Sequence, residues 1–280
     1  MRRSPADNAS FRAAHMTAPV PIFDAHAHLD MPEFAADLPD VLERAARAGV
    51  GKVLCVGTDL DSSLRCVDLA RRFPGLVYAA VGIHPNHWAQ AGPGDMERIG
   101  SLCTLAEVVA IGETGLDFHH GFTDRHAQAR GLREHLRLVV AAGKPVIIHV
   151  RKADEEALKA LSEAGGQFEG VRHCFEGTAQ TVERYLRQGL HVSFTAAVTR
   201  PGHRKLKEAA RLVPAERLLV ETDCPYQTPA SHAGERNEPA FITETIQALA
   251  VLRSTTPEAL AATTARNAES LFFPGLSMTP

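Results

Sequence analysis

Eight short apolar segments recur along the chain, with amphipathic stretches between them. They are Ile22-Phe23, Lys52–Val56, Val77–Val81, Val108–Ile111, Val146–Ile148, Gly170–Arg172, Leu190–Phe194 and Leu218–Val220. Near-continuous apolar runs of this length suit parallel strands buried on both faces. The stretches between them carry helix signatures. Asp37–Gly49 puts Leu38, Val41, Leu42 and Ala45 on one face and stops at Gly49. Residues 124–142 group Leu132, Leu136, Val139 and Val140 and end at Gly143, followed by Pro145. Thr178–Gln188 repeats the scheme, with Val182, Tyr185 and Leu186 inward and Gly189 as its stop. Thr255-Thr256-Pro257-Glu258 offers a capping box that opens a last helix reaching Phe272. Eight strand–helix units argue for a closed (β/α)8 TIM barrel, an α/β fold, over an open sheet. The 280 residues suit one such barrel. Neither a linker nor an internal repeat divides residues 20–280, which read as one domain. Residues 1–19, rich in Arg, Ser, Ala and Pro without periodicity, read as a disordered leader, with Met16 as an alternative start.

Polar residues able to bind metal sit where the apolar runs end. His26 and His28 follow the first strand, within Asp24-Ala25-His26-Ala27-His28-Leu29-Asp30. Side chains at i and i+2 of a strand share a face, so both imidazoles enter one space about 6–7 Å apart along the strand. His84 follows the third strand in Gly82-Ile83-His84-Pro85, and Glu113 the fourth in Gly112-Glu113-Thr114-Gly115-Leu116-Asp117. His149 and Arg151 follow the fifth, His173 the sixth, and Asp223 the eighth in Glu221-Thr222-Asp223-Cys224-Pro225-Tyr226. In a barrel these positions share the C-terminal rim, where such folds keep their active sites. Scattered core histidines would not collect at one end of six strands.

Composition narrows the partners. Thirty Lys+Arg against 33 Asp+Glu leave a net charge of −3, no footprint for tight, sequence-independent duplex binding. A nucleic-acid substrate would be held locally, by metal and a few arginines. Five cysteines without CxxC spacing suggest neither a disulfide framework nor a zinc ribbon. No run approaches the ~18 apolar residues of a membrane span. A cytoplasmic protein is expected, with no membrane association and no obligate protein partner evident.

His26, His28, Glu113, His149, His173 and Asp223 supply four imidazoles and two carboxylates, enough for two divalent metal ions sharing a bridging carboxylate and water. A metal lowers the pKa of its bound water toward ~7. Two ions about 3.5–4 Å apart stabilise both the attacking and the leaving oxygen of a phosphoryl displacement. Glu113, from the middle strand, is the natural bridge. Asp223 would bind one metal and take the proton of the attacking water. Four imidazoles point to Zn or Mn; carboxylates and phosphate chemistry also allow Mg.

With these residues in view, the chain resembles the TatD-type metal-dependent deoxyribonucleases of the amidohydrolase-like barrel superfamily. The likeness spans about residues 22–273 and rests on DAHAHLD, GIHP, GETGLD, HVR, HCFEG, ETDCPY and RNEP in order. Any one motif is weak; seven in sequence are specific. The resemblance implies metal-dependent phosphodiester hydrolysis that trims DNA ends or single-stranded DNA, with the six residues above as ligands. It also implies that His84, Arg151 and the Arg236-Asn237-Glu238 segment place the substrate phosphate and order the loops. Two departures fall on the substrate rim. Ala233-Gly234-Glu235 precedes Arg236 where the family is basic, and Phe194-Thr195-Ala196 replaces a common Ser-Gly pair. Both argue against a strong polynucleotide grip. The alternative reading keeps the metals and changes the bond, to an ester or amide, as in an aminoacyl-tRNA deacylase or a small amidohydrolase. No GxSxG elbow supports a nucleophilic serine.

Asp24 is placed to orient a ligand histidine from behind. Glu221 shares the face of Asp223; pairing with Arg236 and catalysis stay equal readings for it, as a salt bridge and a substrate contact do for Arg236. Cys174 and Cys224 should point away from the ligand face as small buried residues. His119, His120, His126, His135, His203 and His232 read as surface residues. His87 and Trp88 flank the pocket, with Trp88 either stacking a base or packing in the core.

Overall fold

The computed structural model describes residues 21–274, so the expected leader and Met16 lie outside the described residues. Each apolar run of the sequence marks a strand of one sheet, with Leu190 just ahead of its own. The strands are β1 Ile22–Ala27, β2 Val50–Val56, β3 Val77–Val81, β4 Val108–Asp117, β5 Val146–Arg151, β6 Gly170–Arg172, β7 His191–Phe194 and β8 Leu218–Val220. They pair in parallel in sequence order. Asp223 N–H donates to His26 O at 2.9 Å and His28 N–H to Cys224 O at 2.8 Å, which draws the end of β8 back onto β1. The result is an eight-stranded α/β barrel.

The helices that cover it are α1 Leu38–Arg47, α2 Leu60–Arg72, α3 Asp95–Leu102, α4 Arg125–Ala142, α5 Asp154–Glu163, α6 Ala179–Arg187, α7 Arg204–Leu212, α8 Ile242–Leu252 and α9 Pro257–Phe272. Side-chain caps mark several starts. Asp124 accepts from the His126 and Ala127 N–H groups, Thr178 from Thr181, and Thr256 from Ala259. Gly143 closes α4 in the left-handed conformation, as its sequence position predicts. Leu132, Leu136 and Val139 are buried as expected, but Val140 is 69% exposed. On a 3.6-residue period Val140 lies about 80° round from Leu132, past the edge of the buried stripe.

Inside the barrel, Phe23, Leu54, Ala80, Ala110, Ile147, Val171 and Leu219 pack together. The end of α9 closes the floor, with Phe272 and Phe273 at 5.8 and 6.1 Å from Phe23. The polar residues gather at the other end.

Three strands outrun their apolar signal: β1, β4 and β5 continue through His26, Glu113 and His149. Two of them carry an extra residue on the way. Asp24 pairs with Val53 but Ala27 with Cys55, and Ile111 pairs with Val146 but Thr114 with Ile148. One inserted residue reverses the inward and outward faces beyond it. In β1, Phe23 and Ala25 belong to the inner cluster while Ala27 and Leu29 pack outward, which leaves His26 and His28 facing the mouth. In β4, Ala110 faces in and Ile111 out, and the slip turns Glu113 inward. Two glycines permit this course. A Cβ on Gly112 (φ 144°) would sit 2.6 Å from Ile147 O, and one on Gly115 (φ 146°) 1.9 Å from His149 O.

Candidate metal centre

Of the six residues expected to bind metal, the other five gather around Glu113. It is buried at 3% exposure, and its two carboxylate oxygens face different histidine sets. Oε2 lies 3.5 Å from His26 Nε2 and 3.6 Å from His28 Nε2. These two nitrogens are 3.2 Å apart and lie 3.7 and 3.5 Å from Asp223 Oδ1. Oε1 instead lies 2.8 Å from His149 Nδ1 and 2.7 Å from His173 Nε2, which are themselves 3.2 Å apart.

The first set fits an ion. A tetrahedral site with ligands at ~2.1 Å has edges of about 3.4 Å, and the five separations of 3.2–3.7 Å bracket that length. His28 Nδ1–H donates to Val56 O at 2.9 Å in the tautomer that leaves Nε2 free as a donor to metal. The second set is tighter; its histidines bond to the carboxylate directly and would open by about half an ångström around an ion. Buried nitrogens without a partner, His26 Nδ1, His149 Nε2 and His173 Nδ1, mark this cluster as under-satisfied.

The charges answer one another. Burial opposes the charge on Glu113, yet His173, His84 and His149 hold its pKa well below the usual carboxylate range. Burial likewise works against protonated His28 and His173, but Asp223 and Glu113 lift the first to about 9, and Glu113 with Glu221 lifts the second to about 10. Burial pushes His26 down. Protons on His28 and His173 occupy the place that a dication takes.

A second layer holds the ligands. Glu221, fully buried, accepts from Cys174 N–H and Ser193 Oγ–H, both at 2.6 Å, and its Oε1 lies 3.5 Å from His173 Nδ1. It makes no contact with Arg236, so the expected pairing gives way to support of His173. Asp24 accepts from Thr222 N–H at 2.9 Å and Thr222 Oγ1–H at 2.6 Å, and touches only the backbone of His26. It anchors the end of β8 beside Asp223 rather than orienting an imidazole. Burial pushes its pKa up to about 7 against those bonds.

Asp117 escaped the sequence reading. Two and four residues beyond Glu113, Gly115 and Asp117 share its face, and that period was the available signal. Asp117 Oδ2 accepts from His120 Nδ1 at 2.7 Å and Asn86 Nδ2 at 3.0 Å and lies 3.6 Å from His149 Nε2. Arg172 also went unselected. It lines the cavity but is buried, and its guanidinium donates to Val150 O and His173 O.

The expected substrate residues divide. His84 lies at the cavity, its Nε2 3.6 Å from Glu113 Oε1 and its ring 4.4 Å from His149. Arg151 is exposed on the cavity wall beside His120. Arg236 is absent from the cavity lining. Its guanidinium binds both Asp37 oxygens at 2.8 Å and Glu33 O, over the Phe34 ring. The salt-bridge reading therefore replaces the substrate contact. Asn237 donates to Thr222 O and Tyr226 O, and Glu238 accepts from Arg44, so this segment straps the β8 loop onto α1.

Two further expectations change, and the open alternative for Trp88 is decided for the core. Cys174 lines the cavity instead of pointing away, because φ of 44° turns the chain after His173; Cys224 is buried as expected. His135 is fully buried, donating to Gly131 O at 2.7 Å and accepting from Ile83 N–H at 3.0 Å. Trp88 packs against His135 and Gly131, outside the cavity lining, whereas His87 does line it.

His28, Glu113, His149, His173 and Asp223 line a cavity of about 500 Å³, walled also by residues of the loops after β4 and β8. A barrel with buried histidines and carboxylates converging at the C-terminal rim defines the class of metal-dependent hydrolases. Comparison with known proteins gives the family: residues 23–273 match the model of the TatD related DNase family, and the chain belongs to it. It is 35% identical over 252 residues to the metal-dependent hydrolase YabD of Bacillus subtilis, covering 90% of this chain and 98% of that protein. It is 36% identical over 258 residues to the 3'-5' ssDNA/RNA exonuclease TatD of Salmonella typhimurium, again covering 90% and 98%. The crystal structure of YjjV, a TatD homologue from Escherichia coli, superposes with a TM-score of 0.85 at 30% identity over 90% of this chain and 97% of that one.

Proposed function

We propose that the protein is a two-metal exonuclease that removes nucleotides from an end of single-stranded DNA. The observation that carries this is the divided carboxylate of Glu113, with Oε2 toward His26, His28 and Asp223 and Oε1 toward His149 and His173. Bound divalent ions supply Lewis acidity and water activated near neutral pH. Zn or Mn suits the imidazoles, and Mg the carboxylates.

His26, His28 and Asp223 would hold one ion and His149 and His173 the other, with one carboxylate oxygen of Glu113 facing each set. Asp223 keeps 12% of its side chain open to the cavity, so it can take the proton of the attacking water while Oδ1 stays with the histidines. His84 and Arg151, on the wall beside Glu113, orient the phosphate. Arg172 is committed to backbone carbonyls, which leaves Arg151 as the exposed cation among the lining residues. One exposed cation suits a substrate gripped at one or two phosphates, as at a chain end, better than a long duplex.

Metal-reconstituted protein offered single-stranded DNA, RNA and an aminoacyl ester side by side tests this reading. Release of mononucleotides from the DNA is the expected result. Ester cleavage alone would overturn it in favour of a carboxyl-ester hydrolase.

A further inference from the structure

Six large apolar side chains are exposed among the described residues, and two of them stand apart. Leu64, Val140, Leu212 and Val251 lie on the covering helices α2, α4, α7 and α8. Phe122, 68% exposed, and Tyr226, 52% exposed, are the two aromatics, and both line the cavity over the metal centre. Exposed aromatic faces at a cavity mouth mark a contact surface rather than incidental exposure.

Their placement follows from the barrel. Phe122 rides the loop after β4 and Tyr226 the turn after β8, four strands apart in a ring of eight, hence across the mouth from each other. Both backbones are tethered. Asp117 Oδ1 accepts from the His119 and His120 N–H groups, Thr123 Oγ1–H donates to Asn86 O at 3.0 Å, and Gln128 Nε2–H donates to Thr123 O at 3.0 Å. Across the mouth, Tyr226 N–H donates to Asp223 O at 2.9 Å and Asn237 Nδ2–H to Tyr226 O. The Phe122 ring stacks on His120, with centroids 5.4 Å apart and planes 5° apart; the Tyr226 ring stands edge-on to His28 at 6.1 Å. Each wall thus rises from a residue that contacts the metal cluster or the Asp117 behind it, with Arg151 beside His120 at 3.4 Å.

We propose that Phe122, backed by His120, and Tyr226 are the specificity-determining walls of the site, stacking the nucleobases on either side of the phosphate held at the metal centre. The inference rests on the exonuclease reading and adds the part of the substrate that reading leaves unassigned. Every base offers a π-face, so the walls tolerate any sequence. A base pair in a duplex has its faces covered by neighbours, so the same walls select unpaired chain.

The test measures kcat/KM of the metal-loaded enzyme on a single-stranded oligonucleotide and on the same strand with abasic residues at its last two positions. The wild type is expected to favour the intact strand by about tenfold or more, ~1.4 kcal/mol for each tenfold step. Phe122→Ala and Tyr226→Ala are each expected to shrink that ratio severalfold, through KM rather than kcat, and Phe122→Trp to restore it. An unchanged ratio in both alanine variants would overturn the walls while leaving the exonuclease reading intact. If the wild type hydrolyses neither strand, the exonuclease reading fails and the walls fail with it.

Discussion

At the scale of single residues, Asp223 and Glu221, two positions apart at the end of β8, can be tested separately. Asp223→Asn keeps the shape and loses the proton acceptor. It should lower kcat by at least ~10²-fold, the usual worth of a general base, with metal still bound at one site or more. Turnover combined with metal analysis by mass spectrometry checks both halves, and full activity in the variant would remove Asp223 from the role of base. Glu221→Gln probes the layer behind. Glu221 does not itself line the cavity, yet its carboxylate faces His173 and fixes Cys174 N–H. Loss of such an outer partner typically costs 10–100-fold in metal affinity or activity, so metal titration of the variant should show a dissociation constant raised by that order.

At the scale of elements, the site depends on two slips of register and on the close approach of β4 to β5. Gly115 makes that approach possible. Its φ of 146° and the 1.9 Å that would separate an added Cβ from His149 O leave no place for a side chain. Gly115→Ala should push β5 away, cost about 2 kcal/mol or more, and lower metal occupancy at the His149 side. Urea melts and metal stoichiometry read the two effects separately. The strap formed by Arg236, Asp37, Arg44 and Glu238 is partly open to solvent, at 28% exposure for Arg236 and 34% for Asp37. Arg236→Ala should therefore cost about 1 kcal/mol or less.

At the scale of the whole molecule, metal and protons both couple to stability. Ions that bind only the folded cluster stabilise it by about 2.7 kcal/mol at a hundredfold excess over the dissociation constant. Added Zn or Mn should raise the melting temperature of chelator-treated protein, and fresh chelator should reverse the rise. Acid acts through buried neutral histidines as well. Burial pushes His135 down to about 4, and His191 likewise. The folded value of His135 lies below the unfolded value near 6.5, so the unfolded chain binds more protons between the two. The contribution of His135 is complete above pH 6.5 and is lost as the pH drops toward 4, by roughly 3 kcal/mol. Asp24, His28 and His173, lifted to about 7, 9 and 10, bind protons on folding and act with the opposite sign in chelated protein. The check is therefore the difference between variants: from pH 7 to pH 5 the denaturant midpoint of His135→Gln should gain on that of the wild type.

What was written in the chain and what needed the fold separate along physical lines. The barrel, its strand order and the convergence of His26, His28, Glu113, His149, His173 and Asp223 were legible in advance, because buried parallel strands require apolar runs and polar side chains at their ends stand out against them. Glu221 and Asp24 were visible as carboxylates, but their partners, His173 with Ser193 and Thr222, come from strands far apart in sequence. Arg236 stood open between a substrate contact and a salt bridge until Asp37, 199 residues away, took its guanidinium. His135 lay in a polar helical stretch that gave no hint of the Ile83 N–H awaiting it. Residue type and period declare which groups can do chemistry. Which group meets which depends on bulges, left-handed turns and loops closing across the barrel, and those are settled only when all eight strands pack at once.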